Sequence, residues 1–242
     1  MEKDQVSKTL KTIKDNSPKR NFKQTIDLII NLKDFDMKKV QVNQFVTLHF
    51  TRGKKVKVCA LVGPELISQA KEVCDGAISV DDFEDYKEKA KVKKLAKSYD
   101  YFVAQANIMP KIATAFGRVF GPKGKMPNPK AGCVVPPNSN LKPLYEKLQK
   151  TVRVQVKNHP LIQCAVGKED SKDEEAIDNI LVIYDSLIHT LPNGMHNIKD
   201  MYLKLTMGEA FKIGEESKKK SEEKKEEPKP KKAEAKKEEP KK

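Results

Sequence analysis

The amino-acid sequence predicts a mixed α/β protein that contains two kinds of β-sheet. Strand patterns near both ends of the chain alternate apolar and polar residues, which is typical of strands buried on one face only. The middle of the chain instead has continuous apolar runs between helix patterns, as in a parallel sheet covered on both faces. We therefore expect a discontinuous α+β domain with an antiparallel sheet (residues 1–55 and 151–214) and an inserted α/β domain (residues 56–150).

The N-terminal segment begins the one-sided pattern. Val6, Leu10 and Ile13 recur at a spacing of three and four residues, which predicts a short amphipathic helix within residues 1–20. In residues 25–32, isoleucines and leucines occupy every second position, which predicts a half-buried strand. Residues 45–50 predict a second strand that ends at Gly53.

The middle segment has the pattern of a doubly wound parallel sheet. Residues 58–62 form a continuous apolar run, and residues 77–80 and 101–105 predict two further buried strands. Helices are expected at residues 65–73, 81–98, 108–116 and 141–150. Helix 81–98 has acidic residues at its start and lysines at its end, an order that suits the helix dipole.

The C-terminal segment returns to alternation. It predicts strands at residues 152–156, 161–166 and 201–207, and a helix at 172–190 that begins with a capping-box pattern of Ser171 and Glu174. Beyond Gly214 the chain consists mainly of Lys, Glu, Pro and Ala without apolar periodicity. Residues 215–242 are therefore predicted to be a disordered tail.

Charge and composition restrict the classes of function. The chain of 242 residues has 48 Lys plus Arg against 34 Asp plus Glu, a net charge of +14, which favours a polyanionic partner. The four cysteines are widely spaced, which indicates free thiols in a reducing compartment rather than a zinc site. With no apolar run of membrane-spanning length and no secretory signal, we expect a cytoplasmic protein that contacts no membrane.

The most distinctive stretch is residues 116–132, named here the basic segment, with four glycines, three prolines, four cations and no acid. It predicts a loop of defined conformation whose cations bind phosphate groups. A surface loop whose lysines are only solvated has the same composition. A nucleotide-binding P-loop is excluded, because Val119 and Met126 replace its first glycine and its hydroxyl. No histidine, cysteine or serine motif of an enzyme occurs, so we expect neither catalysis nor a cofactor or metal.

A second candidate surface lies at the ends of the terminal strands. Phe22, beside Arg20 and Lys23, precedes the first strand and is compatible either with the core or with stacking on a nucleotide. Thr206 and Gly208 end the last strand, where a hydroxyl and a close backbone approach would suit RNA. Arg153, Lys157 and Lys204 would add cations on outward strand faces.

Five motifs resemble the ribosomal protein L-one family, most closely its archaeal and eukaryotic members. Residues 121–132, Gly-Pro-Lys-Gly-Lys-Met-Pro-Asn-Pro-Lys-Ala-Gly, are similar to the family's signature loop, and residues 205–208, Leu-Thr-Met-Gly, to the end of its last strand. The other three are residues 22–25, 165–168 and 94–100. The turn at residues 48–54 departs from the bacterial Pro-His-Gly pattern, so contacts of that turn are not transferred.

The resemblance implies a split β-α-β terminal domain and an inserted Rossmann-like three-layer domain. It implies a structural constituent of the large ribosomal subunit that binds stalk rRNA, assists release of exit-site tRNA and represses translation of its own mRNA. The rRNA contacts carried over are Arg20, Phe22, Thr25, Lys168, Thr206, Met207 and Gly208, and Lys204 of the outward strand face is added to them. A second RNA or tRNA contact is assigned to Arg118, Lys123, Lys125 and Lys130.

The resemblance further implies contacts with other ribosomal components and a monomer outside the ribosome. Two alternatives stay open at this point. One is a basic protein that binds RNA without sequence preference, and the other is a two-domain binder of a small ligand in the cleft between the domains.

Overall fold

The computed structural model describes residues 2–36, 42–157 and 159–214, so the predicted tail at 215–242 lies outside the described residues. Its helices are α1 (Lys3–Asn16), α2 (Ile67–Val73), α3 (Lys89–Ser98), α4 (Met109–Lys123), α5 (Leu141–Lys150) and α6 (Asp173–Thr190). Its strands are β1 (Thr25–Leu32), β2 (Asn43–Thr47), β3 (Val58–Val62), β4 (Gly76–Ser79), β5 (Tyr101–Gln105), β6 (Val134–Val135), β7 (Thr151–Gln155), β8 (Leu161–Lys168), β9 (Ile198–Leu205) and β10 (Ala210–Lys212).

The terminal strands form an antiparallel sheet in the order β10-β9-β1-β8. Every second residue of β1 is buried, as the alternation predicts. Leu28 and Ile30 pack in one core with Leu10 of α1 and with Ile180 and Leu187 of α6. Helices therefore cover one face of this sheet, and the other face stays half-exposed.

The middle strands form a parallel sheet in the order β4-β3-β5-β6. All five residues of β3 are buried, and they alternate between two cores. Cys59 and Leu61 join a core with α3 and α4, whereas Val58, Ala60 and Val62 join one with α2 and α5. This sheet thus has helices on both faces, so the predicted α/β fold class with one antiparallel and one parallel sheet is confirmed.

Strands β2 and β7 pair with each other as a separate antiparallel ribbon. The Phe45 ring on β2 lies 6.4 Å from the Tyr101 ring on β5, and Val46 and Val154 of the ribbon join the core under the antiparallel sheet. The ribbon therefore lies where the two predicted domains meet. The division of the chain at residues 55/56 and 150/151 itself stays a prediction.

Two helix predictions need correction. Residues 81–98 are not one helix: Asp81–Lys87 is a 3-10 turn, Glu88 has extended backbone angles, and α3 begins only at Lys89. The helix expected at residues 108–116 continues to Lys123, through Gly117, Gly121 and Pro122. It continues because Phe116 and Phe120 are fully buried and stack with ring centroids 5.2 Å apart.

The start of α6 also differs from the prediction. Lys172 is its N-cap residue and makes no side-chain capping bond. The Ser171 hydroxyl instead donates to the Lys168 carbonyl at 2.5 Å, so the capping box is wrong. Acidic residues in the first turn remain and favour the positive end of the helix dipole.

Candidate nucleic-acid interface

Three neighbouring strands of the antiparallel sheet bring predicted contact residues together at one of their ends. Thr25 opens β1 and lies opposite Lys168, the last residue of β8. On its other side, Thr206 N donates to the Thr25 carbonyl at 3.1 Å, and Thr25 N donates to Thr206 Oγ1 at 3.0 Å. Thr25, Lys168 and Thr206 are therefore neighbours, and the Thr206 hydroxyl joins two strand ends.

Two large apolar side chains are exposed at this end of the strands. Phe22 is 52% exposed and Met207 is 59% exposed. Exposure excludes the core position that the sequence left open for Phe22. We call Phe22, Thr25, Lys168, Thr206 and Met207 the strand-end surface.

Gln24 holds the strand-end surface together and was missed by the sequence reasoning. Its side chain is fully buried and accepts a hydrogen bond from Met207 N at 3.2 Å. The same amide donates to Ser17 Oγ at 3.3 Å, while the Gln24 carbonyl accepts from Glu169 N at 2.9 Å. Gln24 has the inward parity of Ile26 on β1, so the strand alternation contained a signal for a buried polar residue.

The remaining predicted contacts of this group lie close by in the chain. Gly208 N donates to the Leu205 carbonyl at 3.0 Å, and a Cβ atom on Gly208 would lie 3.3 Å from Ser17 Oγ. The close approach at Gly208 is thus to the end of α1. Arg20 is exposed, and Lys23 forms an ion pair with Asp170.

The turn at residues 48–54, to which no family contacts were transferred, lies next to Lys168. Gly53 has φ +74°, and a Cβ atom there would lie 3.1 Å from Cγ of Lys168. Buried Asn179 fixes this turn: its Oδ1 accepts from Phe50 N at 3.2 Å, and its Nδ2 donates to the Val166 carbonyl at 3.1 Å. Phe50 itself is 41% exposed, so this turn adds a third exposed apolar side chain near Lys168.

Lys204 lies on the half-exposed face of the antiparallel sheet, opposite Asp27. Partial burial raises the pKa of the Asp27 carboxyl, and the charge of Lys204 opposes that rise. Arg153 does not share this face, because it lies on β7 and its Nη1 donates to the Gly124 carbonyl at 2.8 Å. The expected group of outward cations is therefore divided between two sheets.

The four cations of the second predicted contact do not form one cluster. Arg118 borders a groove between α3 and α4, whereas Lys123 and Lys125 line the cleft beside β2 and β7. Lys130 is exposed in the 3-10 turn Pro129–Ala131. Arg118 and Lys123 also lie on a helix rather than in a loop, so the expectation of one continuous basic loop is wrong.

All four cysteines are free thiols; Cys59, Cys133 and Cys164 are buried and Cys74 is half-buried. Burial raises the pKa of Cys59 and Cys164 to about 12, and of Cys74 and Cys133 to about 11. Within residues 2–36, 42–157 and 159–214, no group of His, Cys, Asp and Glu side chains could hold a metal ion. No helix in the same part of the chain is long and apolar enough to span a membrane.

Comparison with known proteins gives consistent similarities. The sequence model of the ribosomal protein L1p/L10e family matches residues 10–209. A protein of Nanoarchaeum equitans named large ribosomal subunit protein uL1 is 43% identical over 81% of this chain and 93% of its own length. Proteins with the same name from Methanocaldococcus jannaschii and Thermococcus kodakarensis are 37% and 38% identical, over 91% and 88% of this chain and 100% and 98% of their own lengths.

Proposed function

Because this chain belongs to the ribosomal protein L1p/L10e family, we propose that it is a structural constituent of the large ribosomal subunit in the cytoplasm. It binds large-subunit rRNA through the strand-end surface and performs no catalysis. The observation that carries the proposal is the exposure of Phe22 and Met207 at the ends of adjacent strands, where Gln24 accepts a hydrogen bond from Met207 N and Lys168 lies opposite Thr25.

Two large exposed apolar side chains at neighbouring strand ends are a candidate interaction surface. Folded RNA fits such a surface, because bases that are splayed out of a helix stack on aromatic and apolar side chains. Thr25, Thr206 and Gly208 place backbone and hydroxyl groups beside these side chains, where they can read sugar and phosphate groups. Arg20, Lys168 and Lys204 add affinity that decreases as the salt concentration rises.

Two further roles are supported by the family resemblance. The protein assists the release of exit-site tRNA, to which Arg118, Lys123, Lys125 and Lys130 contribute. It also represses translation of its own mRNA, by binding a copy of the rRNA site with the same strand-end surface. Outside the ribosome we expect a monomer.

The test is a titration of a labelled stalk-region rRNA fragment with the full chain at fixed salt. Stacking of a base on an aromatic side chain contributes about 1–3 kcal/mol, so Phe22→Ala should weaken binding at least about fivefold. Met207→Ala should weaken binding in the same direction through lost apolar contact. Met195→Ala is the matched control, because Met195 is 58% exposed but lies in the turn between α6 and β9.

Wild-type affinity in the Met195→Ala variant, with weaker binding in the other two, would support the strand-end surface. If Phe22→Ala and Met207→Ala both bound as tightly as Met195→Ala, the assignment of this surface would be wrong.

A further inference from the structure

A cleft beside the ribbon of β2 and β7 is lined by Lys and Arg side chains from distant parts of the chain. Its volume is 270 Å³, close to the lower limit of roughly 300 Å³ for small-molecule sites. The charged residues that line it are Arg52, Lys54, Asp100, Lys123, Lys125 and Arg153. We name it the cationic cleft, and we propose that it binds a phosphate group.

The charges of the cleft are unbalanced. Five cationic residues and one carboxylate, Asp100, line the cleft, so its charge is positive. The ammonium groups of Lys123 and Lys125 donate to the carbonyls of Lys93 and Tyr99, and Arg153 donates to the Gly124 carbonyl, so Arg52 and Lys54 are the cations on which phosphate binding mainly depends. Burial lowers the pKa of Lys125; the charge of Asp100 opposes this lowering, and the smaller effect of Lys123 adds to it. An anion in the cleft would be attracted by the positive excess, because opposite charges interact more strongly where water is partly excluded.

Arg52 provides an independent observation. Its Nε atom is buried and has no hydrogen-bond partner among the described residues. A buried donor without a partner is costly, and native structures rarely leave one unused. Arginine binds phosphate through a fork of N–H groups, so a phosphate oxygen would become a partner for Arg52 once its side chain turns toward the cleft.

The other side of the cleft has a fixed shape. Arg153 Nε donates to Asn43 Oδ1 at 2.9 Å, and its guanidinium lies 5.6 Å from the centre of the Phe45 ring. Gly124 has φ +64°, and a Cβ atom there would lie only 2.6 Å from Arg153 Nη1. The backbone angle favours glycine at this position, and a side chain here would displace the Arg153 guanidinium.

A bound phosphate would connect two segments. Arg52 and Lys54 precede β3, whereas Lys123 and Lys125 lie at and just beyond the end of α4. The cleft shares none of the five residues of the strand-end surface, but it includes Lys123 and Lys125, two of the four cations proposed to contact tRNA. The site therefore rests on that part of the proposed function and extends it by Arg52, Lys54 and Arg153. The phosphate can belong to a small molecule or to an RNA strand, and the experiment separates these sources.

The test is calorimetric titration of the full chain with inorganic pyrophosphate at constant ionic strength. The wild type should bind at a single saturable site. Hydrogen bonds to charged groups support a loss of about tenfold or more in affinity for Arg52→Gln, with a smaller loss for Arg52→Lys, which keeps the charge but not the fork. Lys54→Gln should also weaken binding, and because Lys54 is exposed this variant remains informative if Arg52→Gln does not fold.

Lys111→Gln is the matched control, because Lys111 is an exposed lysine of α4 that borders the groove with Arg118 instead of the cleft. Absence of saturable binding to the wild type would overturn the proposal. So would a loss in Lys111→Gln as large as that in Lys54→Gln, since it would indicate general charge attraction only.

A second arm identifies the source of the phosphate. If Arg52→Gln weakens pyrophosphate binding but leaves the affinity for the rRNA fragment unchanged, the ligand is a small phosphate compound. If both affinities fall together, an RNA phosphate occupies the cleft. Failure of the strand-end surface is read separately, from the Phe22→Ala titration, and does not affect either result.

Discussion

At the scale of single residues, Gln24 connects three segments of the chain beside the strand-end surface. Its buried side chain and backbone join the end of α1, the residue after β8 and the residues after β9. A buried amide of this kind stabilises only while its partners are present, because each lost bond leaves another polar group unsatisfied. Gln24 therefore links the stability of the protein to the shape of the strand-end surface.

Gln24→Ala should lower the free energy of unfolding by about 1–3 kcal/mol, since Met207 N and other buried groups lose their partner. The same variant should weaken rRNA binding, because Met207 is no longer held in place. Urea unfolding and the rRNA titration measure the two effects. Gln163→Ala, at an exposed position of β8, is the control, and equal losses in the two variants would show that the Gln24 network has no special role.

The sequence predicted the direction of these side chains better than their partners. Alternation along β1 indicates that Gln24 points inward. Its partners Glu169 and Met207 follow 145 and 183 residues later in the chain, so local pattern does not reveal them. Asn179 was missed for the same reason, because its partner Phe50 lies 129 residues away.

At the scale of elements, the half-exposed face of the antiparallel sheet contains Asp27, whose ionised carboxylate lowers the stability of the fold. Asp27 is half-buried opposite Lys204, and burial raises the pKa of its carboxyl above the ordinary value of 3.8. A carboxyl whose pKa is higher in the folded state binds protons more readily there than in the unfolded chain. Its ionised form therefore costs stability above the folded pKa, and this cost disappears as the pH falls below 3.8.

Asp27→Asn should accordingly raise the free energy of unfolding at about pH 7, and the gain should shrink as the pH approaches the ordinary aspartate value. It should also strengthen rRNA binding, because a negative charge beside Lys204 is removed. Urea unfolding across this pH range tests the first statement. Asp85→Asn, at an exposed position outside this sheet, is the control, and a loss of stability in Asp27→Asn at neutral pH would contradict the argument.

Element boundaries followed from sequence where burial and local pattern agree. The fully buried strand β3 and the strand β5 have the bounds that their apolar runs indicate. Helix α4 was cut short in the prediction, because Gly117, Gly121 and Pro122 are usually helix breakers. Aromatic packing of Phe116 and Phe120 outweighs those local preferences. The spacing of Phe116, Val119 and Phe120 is itself a helix pattern, which the glycines and the proline obscured.

The short strands β6 and β10 were also missed. β6 has only two residues and β10 only three, too few for a periodic pattern. Both add to the edge of a sheet formed by longer strands. Their pairing depends on those neighbours, which a local pattern does not contain.

At the scale of the whole molecule, the motif resemblance to the ribosomal protein L-one family is confirmed by the match over residues 10–209 and by the archaeal relatives. The fold class is confirmed as well, with an antiparallel and a parallel sheet in one chain. The domain boundaries and the contact residues stay predictions. The single basic loop expected from composition is instead a helix end and a turn that divide their cations between two surfaces.

We expect the strand-end surface, which is already formed in the free protein, to select one folded rRNA. A competition titration at physiological salt tests it most directly, with labelled stalk-region rRNA bound to the full chain and unrelated structured RNA added in excess. Since general attraction to phosphates is the same for any RNA, selective contacts should keep most of the labelled complex intact. Equal displacement by the unrelated RNA would contradict the claim and leave a basic protein without sequence preference.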